Sequence, residues 1–295
     1  MGIHIESRYA NKHFQSKGKT KKGEKKGKWE EYKFLYISYY KIVDEEVVPK
    51  GEYVLTYGIG KYVNGEREGF WKLYLIDHIT KKKYHCIDVN YKNGLWDGNT
   101  TFYYPNGSRS GTFIYKNDAA EGSCTVYYPN GAVERTYSYS KGYAQGDCKV
   151  YYRNGKIKLS FKYCEEKPCG RAIGYYELGE KKYEENFEEG VLQDTSIHWY
   201  SSGTVKKAMN NNKGKLHGIY KYYHENGKLW VEREYDNGLI VNSINLNDSE
   251  GNPLDPGNLL NGNGNVNYYT EAGNVYMIHI YKNGEKVGEV TFDVE

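Results

Sequence analysis

Aromatic side chains recur at one fixed spacing along this chain and are its most regular candidates for contact chemistry. An aromatic residue occurs every 24 residues at six successive places, namely Tyr103, Tyr127, Tyr151, Tyr175, Trp199 and Tyr223. A tyrosine or tryptophan ring combines a large apolar surface with a hydrogen-bonding group. Such rings are enriched among the residues that dominate protein–protein binding energies. We therefore take these six residues as the candidate partner-binding residues.

Residues that serve in catalysis do not form such a pattern. The histidines do not share a position in the repeat, and they include His78, His85, His198, His217, His224 and His279. His224 occupies a place that tyrosine fills in other copies, so we interpret it as a packing residue. The paired acids Glu30-Glu31, Glu165-Glu166 and Glu188-Glu189 are interpreted as solubilising charges at strand ends. We predict no catalytic residues and no enzyme activity.

The cysteines and glycine-rich segments give no metal or cofactor site. Cys124 and Cys148 share a repeat position, so we expect them to stay apart as small apolar fillers. Cys164 and Cys169 flank a turn and are candidates for pairing, but they lack the additional His or Cys pair of a zinc site. Asn261-Gly262-Asn263-Gly264 lacks the Lys-Ser/Thr of a phosphate-binding loop. We predict no cofactor and no bound metal.

The regular aromatics belong to a segment of 24 residues that recurs along the chain. Seven successive copies begin at Tyr91, Tyr115, Tyr139, Tyr163, Phe187, Asn211 and Tyr235. With these residues as position 1, position 8 is glycine in five copies and is Asp194 or Asn242 in the other two. A period of this length is typical of repeat proteins, whose units bury their apolar faces against their neighbours. We expect a repeated functional surface rather than one pocket.

Each copy has the composition of a β-hairpin. A run of threonine and aromatic residues leads to Asn106-Gly107, which favours a type I′ turn with positive φ at both central residues. The returning strand alternates apolar and polar residues, as a half-buried strand does. Glu185 and Arg233 interrupt the apolar series at position 23. Adjacent rings, as in Tyr103-Tyr104, indicate aromatic side chains on both faces of the sheet.

These patterns predict an all-β fold. We expect an elongated array of stacked antiparallel β-hairpins that forms a single twisted meander sheet. A parallel β-solenoid is the alternative, because it can also have a period near 24 residues. It is less consistent with repeated Asn-Gly turns, which join antiparallel strands.

Composition divides the chain into four segments. We predict a basic flexible N-terminal arm at 1–28, the hairpin array at 29–241, an Asn/Gly/Pro-rich loop or degenerate repeat at 242–265, and C-terminal repeats with a cap at 266–295. Residues 1–28 carry nine Lys or Arg and two Glu, a charge of +7, so the remainder sums to −4 for the total of +3. We interpret the arm as solvated. Its contact with a membrane is the less favoured alternative, and we expect no specific nucleic-acid binding.

The repeated segment resembles a known family. Tyr103-Tyr104-Pro105-Asn106-Gly107, followed by Tyr115-Lys116-Asn117 and Gly122, is similar to the MORN repeat variant typified by YwqK-type antitoxins. The similarity spans roughly residues 27 to 292 and weakens at 163–210 and 242–265. The resemblance implies stacked antiparallel hairpins and protein binding, with no catalytic residues to transfer. MORN proteins of the eukaryotic type imply a further alternative, a membrane- or phosphoinositide-associated scaffold.

Three classes of function follow. The favoured one is a non-enzymatic protein-binding repeat protein, either antitoxin- or immunity-like or a scaffold, with a toxin as one candidate partner. A cell-wall or carbohydrate-binding repeat protein is the second, since such proteins also use aromatic hairpins. An enzyme or lipid-binding module is the third. The N-terminus has no apolar region typical of a secretory signal, so we expect a cytoplasmic protein.

Overall fold

The fold was described from a computed structural model. It covers residues 5–7, 17–43, 46–77, 80 and 82–293, and it includes the side chains of 17–31, 56–77, 80 and 82–293. The described residues form strands, turns and loops, with no helix among them. They divide into two compact units, Met1–Tyr143 and Ala144–Glu295. The predicted all-β class of antiparallel hairpins is confirmed, because each of the pairings between strands described below is antiparallel.

In the first unit most strands pair with the next strand in the chain. Its strands are β1 (Ile5–Ser7), β2 (Lys17–Lys21), β3 (Glu24–Val43), β4 (Glu46–Val63), β5 (Glu66–Ile76), β6 (Lys83–Lys92), β7 (Leu95–Trp96), β8 (Gly98–Tyr103), β9 (Arg109–Lys116), β10 (Ala119–Ala120), β11 (Gly122–Tyr127) and β12 (Val133–Ser140). β7 and β8 both pair with β6, and β10 and β11 both pair with β9. β7 and β8 are therefore two segments of one strand that is interrupted near position 8 of the repeat, and so are β10 and β11.

The second unit continues the same pattern without most of the interruptions. Its strands are β13 (Tyr143–Tyr151, which begins at the last residue of the first unit), β14 (Ile157–Cys164), β15 (Lys167–Tyr175), β16 (Lys181–Glu188), β17 (Val191–Trp199), β18 (Val205–Asn212), β19 (Lys215–Tyr223), β20 (Leu229–Asp236), β21 (Leu239–Asn247), β22 (Pro253–Leu254), β23 (Gly264–Tyr269), β24 (Val275–Lys282) and β25 (Glu285–Thr291). Strands β13 to β22 pair consecutively, and β23 to β25 form a separate three-stranded sheet.

The two connections of each repeat differ in turn type, and the predicted type I′ turn is absent from the Asn106-Gly107 connection. Gly107 has a φ of 85°, but Asn106 does not have a positive φ, so the Asn106-Gly107 prediction of a type I′ turn is wrong. The turn closes one residue earlier than predicted, because the amide of Gly107 donates to the carbonyl of Tyr104 at 2.9 Å. Asn106 Oδ1 accepts a hydrogen bond from the amide of Ser108 at 3.0 Å. The two-residue turns with positive φ at both residues lie at the other connection, as in Lys141-Gly142, with φ of 51° and 86°.

Position 8 has a left-handed backbone in six of the seven copies. Gly98, Gly122, Gly146, Gly170 and Gly218 all have positive φ, between 67° and 112°. Asp194, at the same position, also has a positive φ, of 57°, which aspartate tolerates better than most residues. The repeated glycine therefore marks the point where the second strand connection re-enters the sheet, as expected for a bulge-forming residue.

The core of the first unit consists of large aromatic and aliphatic side chains. Its buried cluster is Trp29, Tyr62, Trp71, Leu73, Ile87, Val89 and Tyr91. Trp71 and Val89 are completely buried, and Trp71 makes edge-to-face ring contacts with Tyr62 and Tyr91 at 5.3 and 5.9 Å. Gly60 lies against the ring of Trp71 so closely that any side chain there would collide with it. This packing fixes the strand order at this end of the unit.

A buried charge network lies beside that core. Glu31 is 1% exposed, and its carboxylate accepts hydrogen bonds from Tyr62 Oη at 2.6 Å and from the guanidinium of Arg67. Lys25 Nζ is 3.3 Å from the same carboxylate. The interpretation of Glu30-Glu31 as solubilising edge charges is therefore wrong for Glu31. Its strand turns the side chain to the core face, where two cations and a phenol compensate for its burial.

The second unit has smaller buried side chains in its repeats. Position 10 holds Cys148, Ala172 and Ser196, which are 1%, 5% and 0% exposed. A second cluster, Ile240, Leu259 and Val266, lies near the C-terminal repeats, with Tyr235, Tyr268 and Tyr281 packed against it. We call the side of each sheet that carries these buried residues the core face, and the opposite side the outer face.

Strands occur in two segments, 1–28 and 242–265, that were predicted to be a flexible arm and a loop or degenerate repeat. The basic residues 17–28 lie in β2 and the start of β3, joined by a Lys22-Gly23 turn with positive φ at both residues. The predicted arm also includes residues 1–4 and 8–16, which lie outside the described residues. In segment 242–265, β21 extends to Asn247 and pairs with β22. That segment thus retains part of a hairpin.

The cysteines occupy two kinds of environment. Cys124 and Cys148 form no disulfide and are buried in their respective units, consistent with small apolar fillers. Cys164 and Cys169 form a disulfide across the β14–β15 connection, with a Cα–Cα distance of 5.7 Å. The candidate pairing of these two cysteines is therefore confirmed.

Candidate partner-binding surface

The six predicted aromatics lie on the outer face of their sheets. Side chains alternate between faces along a strand, so residues three positions apart lie on opposite faces. In five of the six copies, a residue that is at most 5% exposed precedes the aromatic by three positions; these residues are Thr100, Cys124, Cys148, Ala172 and Ser196. All six aromatics are themselves half-buried. We call them the first-aromatic set: Tyr103, Tyr127, Tyr151, Tyr175, Trp199 and Tyr223.

The residue after each of these rings has a different role. In the second unit, Tyr152 Oη donates a hydrogen bond to the main-chain carbonyl of Tyr175 at 2.7 Å, and Tyr176 Oη donates to that of Trp199 at 2.8 Å. Tyr200 Oη does the same to Tyr223 at 2.8 Å. In the first unit, Tyr104 Oη donates to the carbonyl of Tyr127 at 2.7 Å. Each phenol therefore fixes the backbone of the next residue in the first-aromatic set.

His224 takes the place of tyrosine in this series. Its Nε2 lies 3.2 Å from the carbonyl oxygen of Asn247, and its ring stacks on Trp230 at 4.9 Å. The carbonyl accepts, so the histidine donates from this nitrogen. This geometry agrees with the interpretation of His224 as a packing residue. We call Tyr104, Tyr128, Tyr152, Tyr176, Tyr200 and His224 the second-aromatic set.

Basic side chains cover part of the first-aromatic rings. The guanidinium of Arg109 lies 5.7 Å from the ring centroid of Tyr127, and Lys181 Nζ lies 5.4 Å from that of Trp199. Cation–π contacts of this kind contribute about 0.5–1 kcal/mol at exposed sites. They therefore stabilise the rings of Tyr127 and Trp199 only modestly.

Tyr103 is held more firmly than the other members of the set. Its hydroxyl donates to Asp88 Oδ2 at 2.8 Å, and Asp88 Oδ1 lies 2.8 Å from His85 Nε2. The Tyr103 and His85 rings lie 4.4 Å apart, and Tyr74 lies on the other side of His85 at 5.2 Å. Burial, together with the hydrogen bond to Asp88, raises the pKa of Tyr103. Tyr103 is therefore a well-packed member of an aromatic stack as well as a candidate contact residue.

The two units surround the first-aromatic set with different side chains. In the first unit, Thr101, Thr112, Thr125 and Thr136 are neighbours in register on the outer face. In the second unit, the corresponding series runs through Ile173, Glu184, Ile197 and Ala208. Glu184 forms ion pairs with Arg171 and Lys181 at 2.5 and 3.1 Å. Tyr175 and Trp199 thus lie beside apolar side chains and one neutralised carboxylate.

These hairpins match a family model. The MORN repeat variant matches at residues 96–117, 120–141, 144–164 and 216–237. This chain carries MORN-variant repeats. Each match includes one Asn-Gly turn, but none of them covers the segment 165–215, where the hairpins persist in the fold.

Comparisons with solved structures and with curated proteins add little to the family match. The fold is similar to the crystal structure of a porin-like protein from Bacteroides uniformis, at 10% identity and a TM-score of 0.21, covering 73% of this chain and 93% of that one. No curated protein matches the sequence significantly. The structural similarity is too low to support a functional argument.

The described part of the chain contains neither a metal-binding group nor a membrane-spanning helix. No cluster of three or more His, Cys, Asp or Glu residues could hold a metal ion within it. None of its segments is a helix long and apolar enough to cross a bilayer. The first unit has a shallow depression lined by lysines, glycines, Ile59 and Phe70.

Sequence reasoning missed three features of the surface and core. The contact of His85 with Asp88 and Tyr103 was not foreseen, although the Asp88–Tyr103 spacing of 15 residues fits neighbouring strands. The division of roles between the first- and second-aromatic sets was also missed. The third feature is the buried position of Glu31, whose contact with Arg67 spans 36 residues. Glu31 follows Trp29 by two residues and therefore lies on the same face of the strand. This spacing from a large apolar residue was the available signal that Glu31 is buried.

Proposed function

We propose that this protein is a non-enzymatic protein-binding repeat protein, and that the outer face of its second unit is the main contact surface. The observation that carries the proposal is the environment of Tyr175 and Trp199. Both rings are half-buried, both lie beside Ile173 and Ile197, and the main chain of both is fixed by a phenol of the preceding repeat. Rigid aromatic anchors with apolar neighbours are the usual centre of a protein interface.

The polar residues around this centre also suit a protein partner. Arg171, Glu184 and Lys181 form a compensated ion-pair group, and Thr195 Oγ1 donates to Asn210 Oδ1 at 2.8 Å. Hydroxyl and amide groups of this kind adapt their hydrogen bonds to a partner, and together with tyrosine and tryptophan they are typical of protein-recognition surfaces. An apolar centre with such a rim resembles a protein interface more than a sugar-binding cleft.

A capture experiment tests the proposal. The full chain and a Tyr175→Ser/Trp199→Ser variant are immobilised and exposed to lysate of the source organism, and bound proteins are quantified by mass spectrometry. We expect at least one specific protein to be retained by the wild type and lost from the variant. Unfolding curves measured for both proteins verify that the variant remains folded.

The control variant removes an aromatic ring from the opposite face. Trp230 is 41% exposed and contacts Tyr222 and His224 on the core-face side. Trp230→Ser should retain the partner that the outer-face variant loses. Equal capture by all three proteins, or capture only of polysaccharide, would refute the proposal. A captured protein that is toxic alone and neutralised on co-expression would identify an antitoxin role.

A further inference from the structure

Arg233 is a buried cation on the core face of the second unit. It lies in β20 at position 23, where the preceding copies carry Phe113, Tyr137, Phe161, Glu185 and Met209. In register it pairs with Tyr220 on one side and Ser243 on the other. The residue is partly exposed, but its Nε is fully buried and makes no hydrogen bond with any described group. A guanidinium is charged at every accessible pH, so the site carries a permanent positive charge.

Tyrosines surround this guanidinium. Its Cζ lies 5.3 Å from the ring centroid of Tyr268, and the hydroxyls of Tyr235 and Tyr268 lie close enough to interact with it. Tyr235 also makes an edge-to-face contact with Tyr220 at 6.0 Å. Tyr235, Tyr268 and Tyr281 all pack against the cluster of Ile240, Leu259 and Val266. The surroundings therefore hold phenol hydroxyls at the edge of an apolar cluster.

Acidic residues near Arg233 in the sequence are directed elsewhere. Glu232 contacts Lys221 and Asn245, and Glu234 accepts a hydrogen bond from Asn242. Both lie on the outer face, because they neighbour Arg233 in the strand. Among the side chains that the structure describes, no carboxylate forms an ion pair with Arg233. By contrast, Glu185 occupies the same repeat position in an earlier copy, and its Oε1 lies 3.1 Å from Nε2 of His198.

We propose that Arg233, with the hydroxyls of Tyr235 and Tyr268, forms a binding site for a carboxylate. A buried arginine without an anion is costly, and a carboxylate accepts two parallel hydrogen bonds from its planar fork. The phenols are additional donors to the same ligand. The proposal is independent of the outer face, since the site lies on the core face.

The charge of the site favours a carboxylate over a phosphate dianion. His279 lies next to Tyr268 at 4.6 Å, and its burial, with the nearby Lys286, lowers its pKa, so it is neutral at pH 7. Lys286 is itself paired with Glu289 at 2.6 Å. One uncompensated positive charge therefore remains, which matches one carboxylate. Its source is either an acidic side chain of a protein or a small free carboxylate.

The test uses the full chain with two probes. Propionate, which carries one carboxylate, and an acidic decapeptide are titrated at pH 7 and constant ionic strength, with sodium chloride as the reference salt, and the thermal midpoint is measured. We expect saturable stabilisation of the wild type by the peptide, or by both probes, and at least tenfold weaker apparent affinity in Arg233→Met. Binding of propionate as tight as that of the peptide would identify the source as a small carboxylate.

A matched control separates this site from general charge effects. Arg135→Met removes an arginine that already has a carboxylate partner, Glu134 at 3.3 Å, and it should respond to both probes as the wild type does. Equal stabilisation of wild type and Arg233→Met, or equal stabilisation by chloride, would overturn the proposal.

A second measurement does not depend on the folding of any variant. The chain has seven arginines, so their Nε–H resonances can be followed by NMR as propionate is added to the wild-type protein. We expect the Arg233 resonance to shift in a saturable manner while that of Arg135 does not. An unchanged Arg233 resonance at saturating probe would also overturn the proposal.

Discussion

The two units bury their cations in different ways. In the first unit Arg67 lies beside Glu31 and Tyr91 and stacks over Trp71 at 4.7 Å, so its charge is balanced within the fold. In the second unit Arg233 has tyrosines around it and no described carboxylate. The surrounding cores differ as well: the buried cluster of the first unit includes Trp29 and Trp71, whereas that of the second unit consists of Ile240, Leu259 and Val266.

This difference shows that one repeat pattern supports two kinds of stabilisation. The first unit depends on large rings and a closed charge network. Hydrogen bonds from phenols to main-chain carbonyls occur in both units, and in the second unit they join successive repeats through Tyr152, Tyr176 and Tyr200. The core face of the second unit also contains Arg233, whose charge is balanced by none of the described carboxylates.

Removing Glu31 should have the largest effect. Glu31→Leu removes the carboxylate that Arg67 and Lys25 both contact. Removing one partner of a buried ion pair costs about 3–5 kcal/mol. We expect a loss of that size in the free energy of unfolding, measured by urea denaturation. The double variant Glu31→Leu/Arg67→Met should recover much of it. A loss below about 1 kcal/mol for Glu31→Leu would show that the charge network does not stabilise the unit.

A single phenol in the second unit should have a smaller effect. Tyr176→Phe removes the hydrogen bond to the carbonyl of Trp199, and one such bond contributes about 1 kcal/mol. The adjacent Tyr175→Phe is the control, since no hydrogen bond of the Tyr175 hydroxyl occurs among the described groups. We expect chemical denaturation to separate the two variants by about 1 kcal/mol. Equal stability would contradict the separation of the two aromatic sets.

Replacing Arg233 should affect stability least among the core charges. Arg233→Met removes a charge that has no internal carboxylate and keeps an apolar side chain of similar length. Such a replacement of a buried charge is often neutral or stabilising. We expect an unfolding free energy within about 1 kcal/mol of the wild type, or above it, in carboxylate-free buffer. A loss comparable to that of Glu31→Leu would mean that Arg233 is balanced within the fold after all.

The pH dependence of the second unit should reflect His279. Burial lowers its pKa in the folded protein, so near pH 6 the unfolded chain binds more protons than the folded one. The free energy of unfolding should therefore decrease as the pH falls from about 7 through the folded pKa of His279. His279→Gln should show a shallower decrease over this range in denaturation curves. An identical pH profile for the two proteins would show that His279 does not contribute.

The fold was predictable because its signals are local. Alternation at positions such as Phe113 and Tyr115, and glycine at position 8, are properties of single hairpins, and every copy repeats them. The turn assignment failed because Asn106-Gly107 is not a two-residue loop: the amide of Gly107 closes a turn on the carbonyl of Tyr104, and the same geometry occurs at Asn154-Gly155, which no proline precedes. The segment 165–215 departs from the family pattern but keeps the hairpin geometry.

The candidate site was predictable only in part. The spacing identified the first-aromatic set, but not that Tyr176 and its equivalents hold it in place. The environments of Glu31 and Arg233 depend on residues 36 and 35 positions away, Arg67 and Tyr268, and no local pattern encodes such contacts. Sequence could show that Arg233 interrupts an apolar series, but not whether the fold supplies its counter-ion.

The central claim is that the outer-face aromatics bind a protein partner while their neighbours on the core face support the sheet. Its most direct test is the dissociation constant of the captured protein for the wild type, Trp199→Ser and Trp230→Ser, measured by isothermal titration calorimetry. We predict that Trp199→Ser weakens binding by about 30-fold, corresponding to the 2 kcal/mol of an interface hot spot, and that Trp230→Ser leaves it unchanged. Equal affinities for all three proteins, or a loss confined to Trp230→Ser, would contradict the claim.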